Sequence, residues 1–213
     1  ILPYQVLISI ILFSMLSVFS ATSQVTANFT ALNSNVGCGS LIVEFEDLST
    51  GNPDTWNWDF GNGMTSNLPN PVIMYTNPGI FSVKLTVSNN NHSDSYIITD
   101  YIIIHDLPNS NFSESINTIC QYDKVVFTDQ SNGFANIVDW IWDFGDGGSS
   151  NLQNPIYYYP NDGTYNVSLL VRDDNGCENI VVATNLIEVK KIPTADFSSD
   201  IKISCDSVQS INF

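Results

Sequence analysis

The sequence predicts an all-β chain built from small tandem sandwich domains, and three observations carry that expectation. A Trp-x-Trp-Asp-Phe-Gly stretch occurs twice, at residues 56–61 and 140–145, with large aromatics alternating against Asn57, Asp59 and Asp143. That is the period-2 pattern of a strand with one buried face. Three segments open alike, at Thr26-Ala27-Asn28-Phe29, Asn109-Ser110-Asn111-Phe112 and Thr194-Ala195-Asp196-Phe197. Phe29, Phe112 and Phe197 therefore mark a repeat of about 84 residues, the size of one small domain in an array. Finally, short alternating runs separated by turn residues fill each repeat, and none has the helical period.

Within the first repeat seven strands are expected, centred on Phe29, Phe45, Trp58, Thr65, Ile73, Val83 and Ile102. Phe81, Val83, Leu85 and Val87 alternate with polar or smaller residues, as do Tyr165, Val167, Leu169 and Val171, so one face of each strand belongs to the core. Asn62-Gly63 and Asp146-Gly147 suggest hairpins with type I′ turns, which need positive φ at both central residues. The joints Asp106-Leu107-Pro108 and Lys191-Ile192-Pro193 are short, and their prolines fix φ, so a stiff rod is expected. The expected boundaries are 25–107 for the first domain, 108–192 for the second, and 193–213 for the start of a third.

Charge restricts the class of partner. The chain has 213 residues, six basic side chains and a net charge of −16. Nucleic-acid binding rests on Lys and Arg meeting phosphates, so it is excluded as a function class, and attraction to anionic membranes is weak for the same reason. Residues 6–19 form an apolar run followed by Ser20, Ala21, Thr22 and Ser23. That run is shorter than a membrane span and has the length of a signal-peptide core. Residues 1–24 are accordingly expected to be a signal peptide lacking its basic start, cleaved between Ala21 and Val25, with no membrane insertion afterwards and an extracellular destination.

The linked motifs resemble the PKD (polycystic kidney disease repeat) domain, an immunoglobulin-like sandwich. In the second repeat they are Trp142, Asp143, Phe144, Gly145, Asp146 and Gly147, then Asn154-Pro155 with Tyr159, then residues 163–171. In the first they are Trp58, Asp59, Phe60, Gly61, Asn62 and Gly63, then Asn70-Pro71 with Tyr75, then residues 79–87. Asn62 replaces the turn Asp, and Phe81 stands where Tyr165 stands. The resemblance implies a tyrosine corner at Tyr165, whose hydrogen bond Phe81 cannot make. It also implies a non-catalytic spacer or adhesion region of a larger secreted or surface protein, in the style of Bacteroidetes-type repeat proteins. Its partner is then an unidentified surface protein or polysaccharide, alongside further PKD-like domains of the same chain. The alternative is a set of polymer-binding accessory domains of a secreted protease or glycoside hydrolase.

No catalytic, cofactor-binding or metal-binding residue is expected. Asp59, Asp143 and Asp146 read as acceptors for backbone donors of their own turns rather than as an acid/base pair. Asp173-Asp174 is acidic enough to attract calcium but lacks ligand spacing. His92 and His105 have no H-E-x-x-H context and read as exposed loop or strand-end residues. Asn28, Asn91, Asn111 and Asn166 carry N-x-S/T sequons. Tyr157 and Tyr158 are the aromatics expected outside the core.

Cys38, Cys120 and Cys205 follow the three marker phenylalanines by eight or nine residues, and Cys177 is the fourth cysteine. Two pairings stand open. Cys120 could join Cys177 within the second repeat, leaving Cys38 free because Ser93 occupies the matching position in the first. Alternatively, strand parity in an immunoglobulin-like topology puts Cys120 and Cys177 at opposite ends of their domain, so that Cys38 joins Cys177 between domains and Cys120 awaits a cysteine of the third repeat.

Overall fold

The computed structural model describes residues 24–90 and 92–196. The expected signal segment up to Ser23, Asn91 with its sequon, and the third repeat from Phe197 lie outside the described residues. The described chain is all-β and divides between His105 and Asp106 into two units.

The first unit contains β1 (Phe29–Ala31), β2 (Val36–Cys38), β3 (Leu41–Asp47), β4 (Thr55–Asp59), β5 (Thr65–Ser66), β6 (Val72–Tyr75), β7 (Gly79–Ser88) and β8 (Ser93–His105). They form a three-stranded sheet in the order β1-β3-β6 and a five-stranded sheet in the order β2-β8-β7-β4-β5. The second unit repeats this with β9 (Phe112–Glu114), β10 (Thr118–Cys120), β11 (Lys124–Asp129), β12 (Ile137–Asp143), β13 (Ser149–Ser150), β14 (Ile156–Tyr158), β15 (Gly163–Asp173) and β16 (Glu178–Lys190). Its sheets run β9-β11-β14 and β10-β16-β15-β12-β13.

Each unit is thus a two-layer sandwich with its own core, as the alternation requires. In the first, Val43, Phe45, Ile73 and Tyr75 of the smaller sheet meet Trp58, Val83, Leu85, Val87, Ile102 and Ile104 of the larger. In the second, Val125, Phe127 and Tyr159 meet Trp142, Val167, Leu169, Val171, Ile187 and Val189. Trp58 and Trp142 are wholly buried. Each touches the marker phenylalanine edge-on, with ring centroids 5.2 Å apart for both Phe29–Trp58 and Phe112–Trp142. Aromatic packing of this kind adds to the area the rings bury.

Each unit has eight strands where seven were expected. The additional ones, β2 and β10, are three residues long and pair parallel with the last residues of their unit's final strand. Cys38 lies opposite His105 and Cys120 opposite Lys190. Cys120 is therefore the last residue of a strand.

A second correction concerns the β7–β8 and β15–β16 hairpins. Ser88 pairs with Ser93, but Arg172 pairs with Glu178, so the second connection is one residue longer. Asn89 N–H donates to the His92 carbonyl as Asp173 N–H donates to the Cys177 carbonyl, both at 3.0 Å. The residue matching Cys177 is His92, not Ser93.

Candidate functional site: the Trp-Asp-Phe-Gly hairpins

The motif occupies β4 and its turn in the first unit, and β12 and its turn in the second. Alternation sends Trp58 and Trp142 into the core, where each indole still needs a hydrogen-bond acceptor. Trp58 Nε1 donates to the Leu68 carbonyl at 2.8 Å and Trp142 Nε1 to the Leu152 carbonyl at 2.9 Å. Trp56 and Trp140 donate instead to carboxylates of the neighbouring sheet, Asp47 Oδ2 and Asp129 Oδ2, both at 2.7 Å. Burial alone would push the Asp129 carboxyl up. Hydrogen bonds from Ser131, Gln153 and Trp140 outweigh that and hold it below the ordinary carboxylate range, because they favour the charged form.

Asp59 and Asp143 carry the next contact. Each Oδ1 accepts the N–H two residues on, from Gly61 at 2.9 Å and Gly145 at 2.8 Å. Asn62 Oδ1 accepts Met64 N–H at 3.0 Å, and Asp146 Oδ1 accepts Gly148 N–H at 3.0 Å. Two such side-chain turns in succession define the loop. Positive φ falls on Gly61 and Gly63, at 74° and 85°, and on Gly145 and Gly147, at 83° and 93°. Asn62 and Asp146 do not have positive φ, so the expected type I′ turn is replaced by a three-residue loop closed by Phe60 N–H to the Met64 carbonyl. At Gly145 a Cβ would also lie 2.2 Å from the Asn166 carbonyl oxygen, so glycine is required there twice over.

Beneath the loop, Tyr75 and Tyr159 are wholly buried and donate to the Phe60 and Phe144 carbonyls at 3.1 and 3.2 Å. Burial, reinforced by the charge of Asp59 or Asp146, drives both phenols well above the usual tyrosine range. Tyr165 Oη donates to the Asn161 carbonyl at 3.0 Å, a local tie across the bend; Phe81 keeps only the ring contact, 5.0 Å from Tyr75.

Tyr157 departs from expectation. Its ring stacks on Phe144 with centroids 3.9 Å apart, and its hydroxyl reaches Asp146 Oδ1 and Oδ2 at 2.8 and 3.0 Å. Tyr157 therefore packs against the core, while Tyr158 faces outward. Strand alternation through Tyr157 and Tyr159 was the signal that could have shown this. Burial, followed by the bond to the Asp146 carboxylate, pushes the Tyr157 phenol up to about 12.

The remaining candidates are placed by their own loops. Asp173 is buried, and its Oδ1 accepts the N–H groups of Asn175 and Cys177. Asp174 Oδ2 accepts the Asn136 amide. Among the described residues no three His, Cys, Asp or Glu side chains are grouped to hold a metal ion. His92 and His105 are half-buried rather than exposed, and His92 Nδ1 is enclosed without a hydrogen-bond partner. Cys38 and Cys177 are each disulfide-bonded, whereas Cys120 is a free, exposed thiol, which overturns the pairing of Cys120 with Cys177.

Residues 21–104 and 107–189 each match the family described as the PKD domain. The pre-pro-metalloprotease PrtV of Vibrio cholerae is 33% identical over 144 residues, which covers 67% of this chain and 15% of that protein. Collagenase ColQ1 of Bacillus cereus is 49% identical over 43 residues, 20% of this chain and 4% of that enzyme. The chain thus spans only a small part of the length of either relative. Among solved structures, the PKD1 domain of Vibrio cholerae PrtV is 31% identical with a TM-score of 0.35, covering 39% of this chain and 96% of that domain.

Proposed function

We propose, from the premise that this chain belongs to the PKD domain family, that its two repeats are a non-catalytic extracellular module. They serve as a spacer or adhesion region of a larger secreted or surface-displayed protein. One observation carries the reading: the motif carboxylates are spent on structure in both repeats. Asp59, Asp143 and Asp146 hold turn N–H groups, and Asp47 and Asp129 hold indoles. A carboxylate held in this way positions the backbone of its own turn or the indole beside it. Disulfide-bonded cysteines support an oxidising, extracellular setting. The prolines of the joints support a stiff spacer.

The relatives favour a second reading, because two are named as a metalloprotease and a collagenase. On that reading the repeats are accessory domains that hold a secreted protease on its polymer. Incubating the protein with casein, gelatin and insoluble collagen separates the possibilities. The spacer reading expects no cleavage above background and all protein in the supernatant after sedimentation of collagen. Retention on collagen transfers the assignment to the accessory reading, and cleavage abolished by Asp143→Asn in a folded protein overturns both.

A further inference from the structure

We infer that Asn62 is a site of spontaneous deamidation in the folded protein: the Gly63 nitrogen closes on the Asn62 side-chain amide, and water reopens the ring to an acid. The reaction turns the amide loop of the first repeat into the carboxylate loop that Asp146 already forms in the second.

The chain has three Asn-Gly pairs, at residues 62–63, 132–133 and 175–176. Glycine leaves the nitrogen of such a pair open to ring closure, because no Cβ shields it. Closure also needs the peptide group between the two residues to turn, so hydrogen bonds on that group oppose the reaction. At Asn132 the carbonyl accepts Asn109 N–H at 2.7 Å, and at Gly176 the N–H donates to the Asp173 carbonyl at 3.0 Å. The peptide group between Asn62 and Gly63 differs. Among the described residues, neither the Asn62 carbonyl nor the Gly63 N–H has a hydrogen-bond partner. Space is available as well: a Cβ on Gly63 would meet nothing within 4 Å, whereas one on Gly133 would touch Ala135 and Pro108. The Asn62 side chain is held in place by Met64 N–H, which donates to Oδ1 at 3.0 Å. That bond keeps the amide folded over the peptide group that attacks it. A donor on this oxygen also stabilises the negative charge that develops there during attack.

A base takes the Gly63 amide proton, the nitrogen bonds to Asn62 Cγ, and the Cγ–Nδ2 bond breaks as the leaving nitrogen is protonated to ammonia. Water then cleaves one of the two C–N bonds of the ring. Cleavage at Cγ gives an ordinary aspartate. Cleavage at the main-chain carbonyl carbon gives isoaspartate, whose backbone runs through Cβ. No electrons are exchanged, and water is the only co-reactant. The second repeat shows that a carboxylate serves this loop, since Asp146 Oδ1 accepts Gly148 N–H as Asn62 Oδ1 accepts Met64 N–H. Isoaspartate instead lengthens the loop by one backbone carbon and disturbs its closure by Phe60 N–H on the Met64 carbonyl. The step is the same whether the repeats are a spacer or an accessory module.

Peptide mapping of the intact protein, held folded in mildly alkaline buffer, tests this through the mass gain of an amide becoming an acid. A backbone hydrogen bond that must open first slows the competing sites, so Asn62 should convert about two- to tenfold faster than Asn132 or Asn175. In concentrated urea the three rates should converge, because all three residues precede glycine. Equal rates in the folded protein, or a lead for Asn62 that persists in urea, overturns the inference. Asn62→Asp supplies a second readout: it should melt as the parent does, whereas the isoaspartate fraction of aged protein should melt lower. An isoaspartate fraction that melts with Asn62→Asp overturns the effect on the loop.

Discussion

The two repeats share topology and core yet fill one corner differently. The first has Asn62, Met64 and Ile73 where the second has Asp146, Gly148 and Tyr157. In the first, Ile73 is buried in the core and Met64 is exposed. In the second, the Tyr157 ring covers Phe144 and its hydroxyl binds the Asp146 carboxylate. Gly148 makes this arrangement possible, because a Cβ there would lie 1.9 Å from Tyr157 Oη. A side chain at that position and the phenol exclude one another. The difference shows that the loop needs its two positive-φ glycines and its carboxylate or amide acceptors, whereas the filler beneath is exchangeable as a set.

The largest expected effect tests what the repeats share. Trp58→Ala and Trp142→Ala should each cost about 3–5 kcal/mol in their own repeat, as large-to-small changes of buried aromatics do. Thermal melts should show similar losses for the two; a cost near zero for either removes that tryptophan from the centre of its core.

A smaller effect tests what separates them. Gly148→Met should destabilise the second repeat by about 1–3 kcal/mol through overpacking against Tyr157. Tyr157→Ile should reverse most of that loss, since the pair then matches Met64 and Ile73. A double-mutant cycle with no coupling would show that the corner does not act as a set.

The smallest effect is in alkali. A phenol raised to about 12 in the folded state stabilises fully below the ordinary tyrosine value near 10, and its contribution disappears as pH rises from there through about 12. Tyr157→Phe should flatten the decline of stability with pH in that window for the second repeat. The first repeat, with Ile73 at the matching position, has no counterpart to lose. An unchanged slope in the variant would detach the phenol from the alkaline response.

How much of this was legible depended on whether the signal was local. The aromatic alternation of β4 and β12 and the apolar faces of β7 and β15 follow from side-chain period alone. The strands β2 and β10 did not, because a three-residue strand has no period and its partner lies at the far end of the repeat. The loop was misread because Asn-Gly is a strong hairpin signal by itself. Here the Asp59 and Asp143 carboxylates capture the N–H of the preceding glycine and move the positive φ to Gly61 and Gly145. The extra residue before Glu178 left no compositional trace, so only the strand register identified His92 as the counterpart of Cys177.

The placement of strand lengths has a consequence for neighbours of similar sequence. In each five-stranded sheet β7 or β15 lies inside, whereas the final strand, β8 or β16, is covered on its outer side by β2 or β10 over its last three residues alone. The opposite edge is left to β5 or β13, of two residues each. An unpaired backbone row is a template for another chain, and the longer the row, the stronger the template. Tandem repeats hold look-alike strands at high local concentration, where exchange of one repeat's strand into another's sheet is a standing hazard during folding. The uncovered length of β8 or β16 is the row open to such exchange.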